Sequence, residues 1–203
     1  MNKLLKVLSI VIAGFALTAS SFAADVTMRI SIQLPMKSHL GQNLLLFKND
    51  VEAKSKGEIE VQIYDSAQLY KDKEVPAAVG SGSIEAGVAS LTRYVGDIPA
   101  VDIFYQPFLL NSEAKVRKAV AKGSAIRGPI DKAIEGTGST VLWWQAYGSA
   151  VMLSKGQGIK NPSDMKGKKV RVFGKTLGAF VKASGGAATL ISGSEQYLAY
   201  QRG

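Results

Sequence analysis

The chain contains no cysteine in its 203 residues. That absence excludes disulfide staples, a lipid-modified cysteine, a thiol nucleophile and any zinc cluster built on thiolates. Histidine is almost as scarce: His39 stands alone, so histidine-pair metal sites are excluded and no bound metal is expected. A Ser-His-Asp triad would have one candidate base and no nucleophile-elbow motif to go with it. Cofactor fingerprints fail as well. Gly174-Lys175-Thr176 ends like a phosphate-binding loop, but Lys169 stands where its first glycine is needed, and Glu85 occupies the third glycine position after Gly80-Ser81-Gly82. No cofactor is therefore expected. The chain shows no repeat at solenoid periods and no biased composition. Past the first two dozen residues no run is long and apolar enough to span a bilayer, so the mature chain is expected to be soluble.

What is present starts with an export signal. The chain opens with Lys3 and Lys6 and runs through an apolar stretch from Leu4 to Leu17, and the small-residue end Ser21-Phe22-Ala23 comes before Ala24-Asp25. This order predicts a secretory signal over 1–23, cleaved after Ala23, and a periplasmic mature protein. With Lys3 and Lys6 set aside, 23 basic residues face 16 acidic ones, a net charge of +7 that favours anionic partners. The densest basic cluster is Lys166, Lys168, Lys169, Arg171 and Lys175, with Phe173 as its single interleaved aromatic. It matches no nucleic-acid reader, and no nucleic-acid partner is expected.

Periodicity predicts an α/β protein. Val26, Met28, Ile30 and Ile32 alternate as a half-buried strand, and Leu40, Leu44, Phe47 and Val51 share one face of a helix that Ser38 caps and Gly57 ends. Ile59, Val61 and Ile63 form the next strand, which makes a βαβ opening with a parallel sheet. Asp72 is the expected cap of a short helix with Pro76 in its first turn, and a strand is expected from Ile84 to Ala89. Ser112 should cap a helix carrying Val116, Ala119 and Val120, and another helix should run from Pro129 to Gly136. Val141 to Trp144 and Ala150 to Ser154 read as strands. After a Gly/Pro/Asn-rich connection the same grammar returns. Strands at Lys168 to Val172 and Ala188 to Ile191 flank a helix from Thr176 to Ala183, and Ser194 caps a last helix. The apolar residues Phe180, Val181 and Leu198 are expected to lack partners in this second, unfinished pattern.

Five fragments in register carry a family resemblance. They are S-H-L-G at 38–41, G-S-I-E-A-G-V-A-S at 82–90, Q-P-F-L-L at 106–110, N-P-S-D-M-K-G-K-K-V-R-V at 161–172 and S-E-Q-Y-L-A-Y-Q-R-G at 194–203. Together they resemble the substrate-binding subunits of tripartite ATP-independent periplasmic (TRAP) transporters, the dicarboxylate-binding protein family. The resemblance implies a two-lobed, periplasmic-binding-protein-like α/β fold. Here the first lobe over 24–148 would be nearly complete and the second over 149–203 partial, because the family continues past the last fragment. It also implies a monomeric, non-enzymatic protein that captures a small organic anion, a carboxylate, and delivers it to the membrane permease subunits of a TRAP transporter. A ligand-sensing ectodomain of the same fold and an exported hydrolase are the alternatives.

In the family the arginine of the K-x-R-V strand pairs with the ligand carboxylate, which points to Arg171. Strand alternation agrees: Val170 and Val172 share one face, so Arg171 takes the other. Its planar fork can donate two parallel hydrogen bonds to one carboxylate. Ser90, at the end of a strand that lines the family's cleft, is a candidate hydroxyl donor. His39 lies at a helix start, where an anion is favoured. Trp144 and Tyr197 are candidate walls, although such aromatics are more often core. Ala150 stands where many members carry a second arginine, which leaves the number of bound carboxylates open.

Overall fold

A computed structural model describes residues 24–203; the export signal expected over 1–23 lies outside the described residues. Strand β1 (Val26–Ser31) is the centre of a three-stranded parallel sheet, with β2 (Ile59–Tyr64) on one side and the two-residue β3 (Ala86–Gly87) on the other. Helix α1 (His39–Lys54) makes the crossover from β1 to β2. The alternation puts Ile30 and Ile32 inside, where they pack with Val61, Leu40 and Leu44 to form a first core.

The start of α1 follows its sequence signal: the Ser38 hydroxyl accepts from the Gly41 N–H at 3.1 Å. Gly41 itself is needed because a Cβ there would sit 2.6 Å from Met36 Cα and O. Further along α1, Glu52 accepts the Val61 N–H at 2.9 Å, and the Lys48 ammonium donates to the Val61 carbonyl. Two charged side chains thus satisfy the outward-facing backbone of an edge strand, which would otherwise invite pairing.

Helices α2 (Val75–Gly80), α3 (Glu113–Val120) and α4 (Arg127–Glu135), with 3₁₀ turns at Leu91–Tyr94 and Pro99–Tyr105, complete this part of the chain. Ser112 caps α3 through the Lys115 N–H, as its position predicts. A second core gathers Ile98, Val101, Ile130 and Ile134, with Phe104, Val141 and Trp144 packed against it. Beyond residue 160 a smaller βαβ unit follows. Parallel strands β4 (Lys169–Val172) and β5 (Ala187–Leu190) are joined by helix α5 (Lys175–Ala183), with Met165, Val172 and Val181 buried, and helix α6 (Gln196–Arg202) comes last. Among the described residues no helix is long and apolar enough to cross a membrane.

Several expectations are corrected. Asp72 does not cap α2, which begins after Glu74 without a side-chain cap. Asp72 is instead 1% exposed and bonded to the Ser90–Arg93 turn. Ser194 caps no helix either, because it lies inside a 3₁₀ turn, Gly193–Glu195, that leads straight into α6. The strand expected over 84–89 shortens to Ala86–Gly87 because the chain bends into the 3₁₀ turn that follows, although the Val88 N–H still reaches the Ser31 carbonyl. Residues 141–154 are not strands. Between Gly138 and Asn161 no backbone hydrogen bond joins this stretch to another segment among the described residues, and a strand without a neighbour has no ladder. Finally, Val181 is buried and Phe180 meets Phe108 edge to face at 6.3 Å. Leu198 is exposed as expected, and exposed apolar surface also lies at Val151, Met152, Leu153, Leu190 and Tyr197.

Candidate functional site

The junction between the large αβ unit and the small one carries the unusual chemistry. From the large unit comes the turn Ser90–Tyr94. Its first backbone N–H, on Ser90, donates to Asp72 Oδ1 at 2.8 Å, and its Arg93 Nε donates to Asp72 Oδ2. The Arg93 and Asp72 side chains are 10% and 1% exposed, so the pair is desolvated. A buried carboxylate is tolerated there because it has both a charged partner and a backbone donor.

From the small unit comes Arg171 on β4. Its Nε donates to the Ile191 carbonyl at 2.9 Å, and its guanidinium carbon lies 5.3 Å from the centre of the Phe173 ring. Its two terminal amino groups have no protein partner among the described residues. Burial lowers the Arg171 pKa, Arg93 adds to that lowering by like-charge repulsion, and Tyr200, Tyr147 and Asp72 oppose it. Two guanidinium groups therefore share a half-buried region with one carboxylate. An arginine held in this way has a fork ready for an incoming anion and lacks a charge partner of its own.

Other contacts draw the two units together. Thr176, in the first turn of α5, donates to Asp102, and Tyr105 meets Phe173 edge to face at 5.9 Å. Lys71 pairs with Glu195 at 2.8 Å. Gly174 lies so close to Thr92 that a Cβ would be 2.6 Å from its Oγ1. Thr92 Oγ1 and Gln33 Oε1, the latter facing Gly193, are buried without a hydrogen-bond partner.

Among the residues singled out from sequence, Arg171 and Ser90 lie in this region, Ser90 through its link to Asp72. His39 is exposed and stacks at 5.9 Å on Tyr147, one of the rings acting on Arg171. Tyr197 is 71% exposed on α6, its hydroxyl accepting from Gln201. Trp144 is engaged in the second core: its indole N–H donates to Asp131 at 2.7 Å and its ring meets Phe104 edge to face. Sequence reasoning missed Arg93 and Asp72. Their signal was the pairing of an acid before α2 with a base after β3, which becomes readable only once both loops are known to lie at the same end of parallel strands. No group of three or more His, Cys, Asp and Glu is placed to hold a metal among the described residues.

Comparison with known proteins agrees with this architecture. The family model described as bacterial extracellular solute-binding protein, family 7, matches residues 30–203. A solute-binding protein of Verminephrobacter eiseniae is 30% identical over 186 residues, covering 89% of this chain and 54% of the relative. The C4-dicarboxylate-binding periplasmic protein DctP of Rhodobacter capsulatus is 28% identical, covering 94% and 57%. Among solved structures, a TRAP periplasmic solute-binding protein of Polaromonas sp. JS666 bound to D-erythronate superposes with a TM-score of 0.81 at 25% identity, covering 88% of this chain and 58% of that one. The chain spans little more than half the length of the relatives it matches.

Proposed function

We propose that this chain, which belongs to bacterial extracellular solute-binding protein family 7, captures a small organic acid in the periplasm and delivers it to the membrane permease of a TRAP transporter. On this reading it is a monomeric carrier with no catalytic role. The relatives support the ligand class: one is named for C4-dicarboxylates and another holds D-erythronate. The observation that carries the proposal is Arg171. It is half-buried, its only hydrogen bond among the described residues goes to a neutral carbonyl, and it lies within reach of the Arg93 charge.

Arg171 is the main anchor for the carboxylate. Nε is already committed to Ile191, which fixes the plane of the guanidinium, and the terminal amino groups donate to the anion. The cleft would have the large unit on one side, through Ser90, Arg93 and His39, and the small unit on the other. The division into a lobe over 24–148 and a second over 149–203 goes with this reading, as does cleavage of the export signal after Ala23.

The test is calorimetric titration with organic acids against the parent chain, Arg171→Ala and Arg171→Lys. Losing the charged partner of a desolvated carboxylate should cost about 2–5 kcal/mol, or roughly thirty- to several-thousand-fold in affinity. Lysine should recover only part of it, because it restores the charge without the planar fork. If Arg171→Ala stays folded and binds as tightly as the parent, the anchor lies elsewhere.

A further inference from the structure

Resting on the carrier reading above for its effect on solute, we infer that Phe108 is a positioning residue. It is the large unit's catch on α5, and it sets how often the two units meet around Arg171. The first observation is a backbone conformation. The Leu109 N–H donates to the Gln106 carbonyl at 3.3 Å, which closes a four-residue turn with Pro107 and Phe108 at its centre. The ring of Pro107 holds its φ at about −65°, and Phe108 follows at φ +67°. That is a type II turn, whose second central position calls for glycine or asparagine. A bulky residue in the left-handed region is an outlier, and such strain is kept where the side chain has a use.

The second observation is where the ring goes. Among the described residues Phe108 joins neither core of the large unit, and it meets Phe180 on α5 edge to face at 6.3 Å. It also continues a row. Side chains three apart eclipse along a 3₁₀ segment, which puts Asp102 and Tyr105 on one side of the turn Pro99–Tyr105. Asp102 accepts from Thr176, Tyr105 meets Phe173 edge to face at 5.9 Å, and Phe108, three residues further on, reaches Phe180. Positions 102, 105 and 108 therefore all face the small unit. The Phe173 ring in turn supports the Arg171 guanidinium. The row that docks on α5 thus also brings Tyr105 against the support of the anchor.

The chain has no cysteine, so nitroxide labels go only where Glu60→Cys and Lys182→Cys place them, on exposed positions with one in each unit. Pulsed electron–electron double resonance then reads the separation of the units without any solute. Phe108→Gly removes the ring and suits the turn, whereas Phe180→Ala removes its partner from the other side. Each should lower the ratio of near to far separations by about two- to tenfold, the worth of an edge-to-face pair. The double variant should go no further than either single one, and Phe108→Tyr should keep the parent's ratio. Calorimetric titration with succinate and D-erythronate should show affinity falling by at most the same factor, because it follows the fraction of competent molecules. The two tryptophans, Trp143 and Trp144, report the large unit in urea. The midpoint of Phe108→Gly should not fall, since glycine adopts this φ freely. Unchanged separations in folded Phe108→Gly or Phe180→Ala overturn the inference, as do losses that add in the double variant. If neither acid binds the parent chain the carboxylate reading falls, and the separations still decide the role of Phe108.

Discussion

The Asp72–Arg93 pair should behave as an energetically coupled unit, and its removal is the most informative perturbation of stability. Two unit charges about 4 Å apart attract by about 4 kcal/mol at the effective dielectric of ~20 that suits protein sites. Desolvation offsets much of that, so the intact pair is not credited with large net stability. Breaking it is another matter. Asp72→Ala leaves Arg93 buried with no counter-charge, at a cost of about 3–5 kcal/mol, and it strips the Ser90 N–H of its acceptor, which adds about 1 kcal/mol or more. Arg93→Met should cost about 3 kcal/mol by leaving the carboxylate unpaired. The double variant Asp72→Ala/Arg93→Met leaves no orphan charge and should cost about 4 kcal/mol, well short of the sum. The predicted coupling is therefore about 3 kcal/mol, read from urea midpoints at constant m-value. For a chain of this size Asp72→Ala should also melt about 10–20 °C lower. Additive single and double variants, with coupling below about 0.5 kcal/mol, would show that the pair is a contact without energetic consequence.

Two further predictions concern the large unit. Gly41→Ala should destabilise by about 1–3 kcal/mol in chemical denaturation, because the added Cβ meets Met36 backbone atoms that Asp65 holds through the Met36 N–H. A gain in stability, as intrinsic helix propensity alone would give, would refute the close approach. Glu85, clipped by the Arg29 guanidinium, has its pKa lowered to about 2 from an ordinary 4.5. A depressed carboxyl pKa stabilises above pH 4.5 and loses that stabilisation as the pH falls toward 2. Both side chains are more than a third exposed, so screening reduces the effect to about 1 kcal/mol. Glu85→Gln should flatten the stability profile between pH 5 and 2 by that amount and leave its slope above pH 6 unchanged.

The two βαβ units were legible because their information is local. Alternation in β1 and the apolar face of α1 are periodicities within one segment, and Ser38 is a cap because of its own immediate neighbours. Arg171 was singled out by the family resemblance, with which the alternation of a strand whose other face is valine agrees. Asp72 was misread because an acid shortly before a proline-led helix has the same sequence appearance whether it caps the helix or reaches across to Arg93, 21 residues away. Residues 141–154 were misread for a complementary reason. Val141-Leu142-Trp143-Trp144 has the composition of a strand, yet β-structure belongs to pairs of segments, and what Val141 and Trp144 found was a core rather than a ladder, with Leu142 and Trp143 left exposed. Trp144 illustrates both points, being predicted as a cleft wall and placed with its indole on Asp131.

How two arginines come to share one region follows from what holds the units together. Like charges would separate if the junction were soft, yet Thr176 to Asp102, Tyr105 on Phe173 and Lys71 to Glu195 bridge it at three points. Gly174 removes the side chain that would otherwise press on Thr92, one residue before Arg93. These contacts hold the turn that carries Arg93 near the strand that carries Arg171, where the two charges repel. On the proposed reading, an anion on Arg171 would screen that repulsion and gain a charge-assisted pair at the same time, and so would favour the arrangement in which the two units meet. A ligand shifts a conformational equilibrium only by such a difference in affinity. On the proposed reading that difference would arise from Gly174, a turn anchored by the buried Asp72, and an arginine whose terminal amino groups have no protein partner among the described residues.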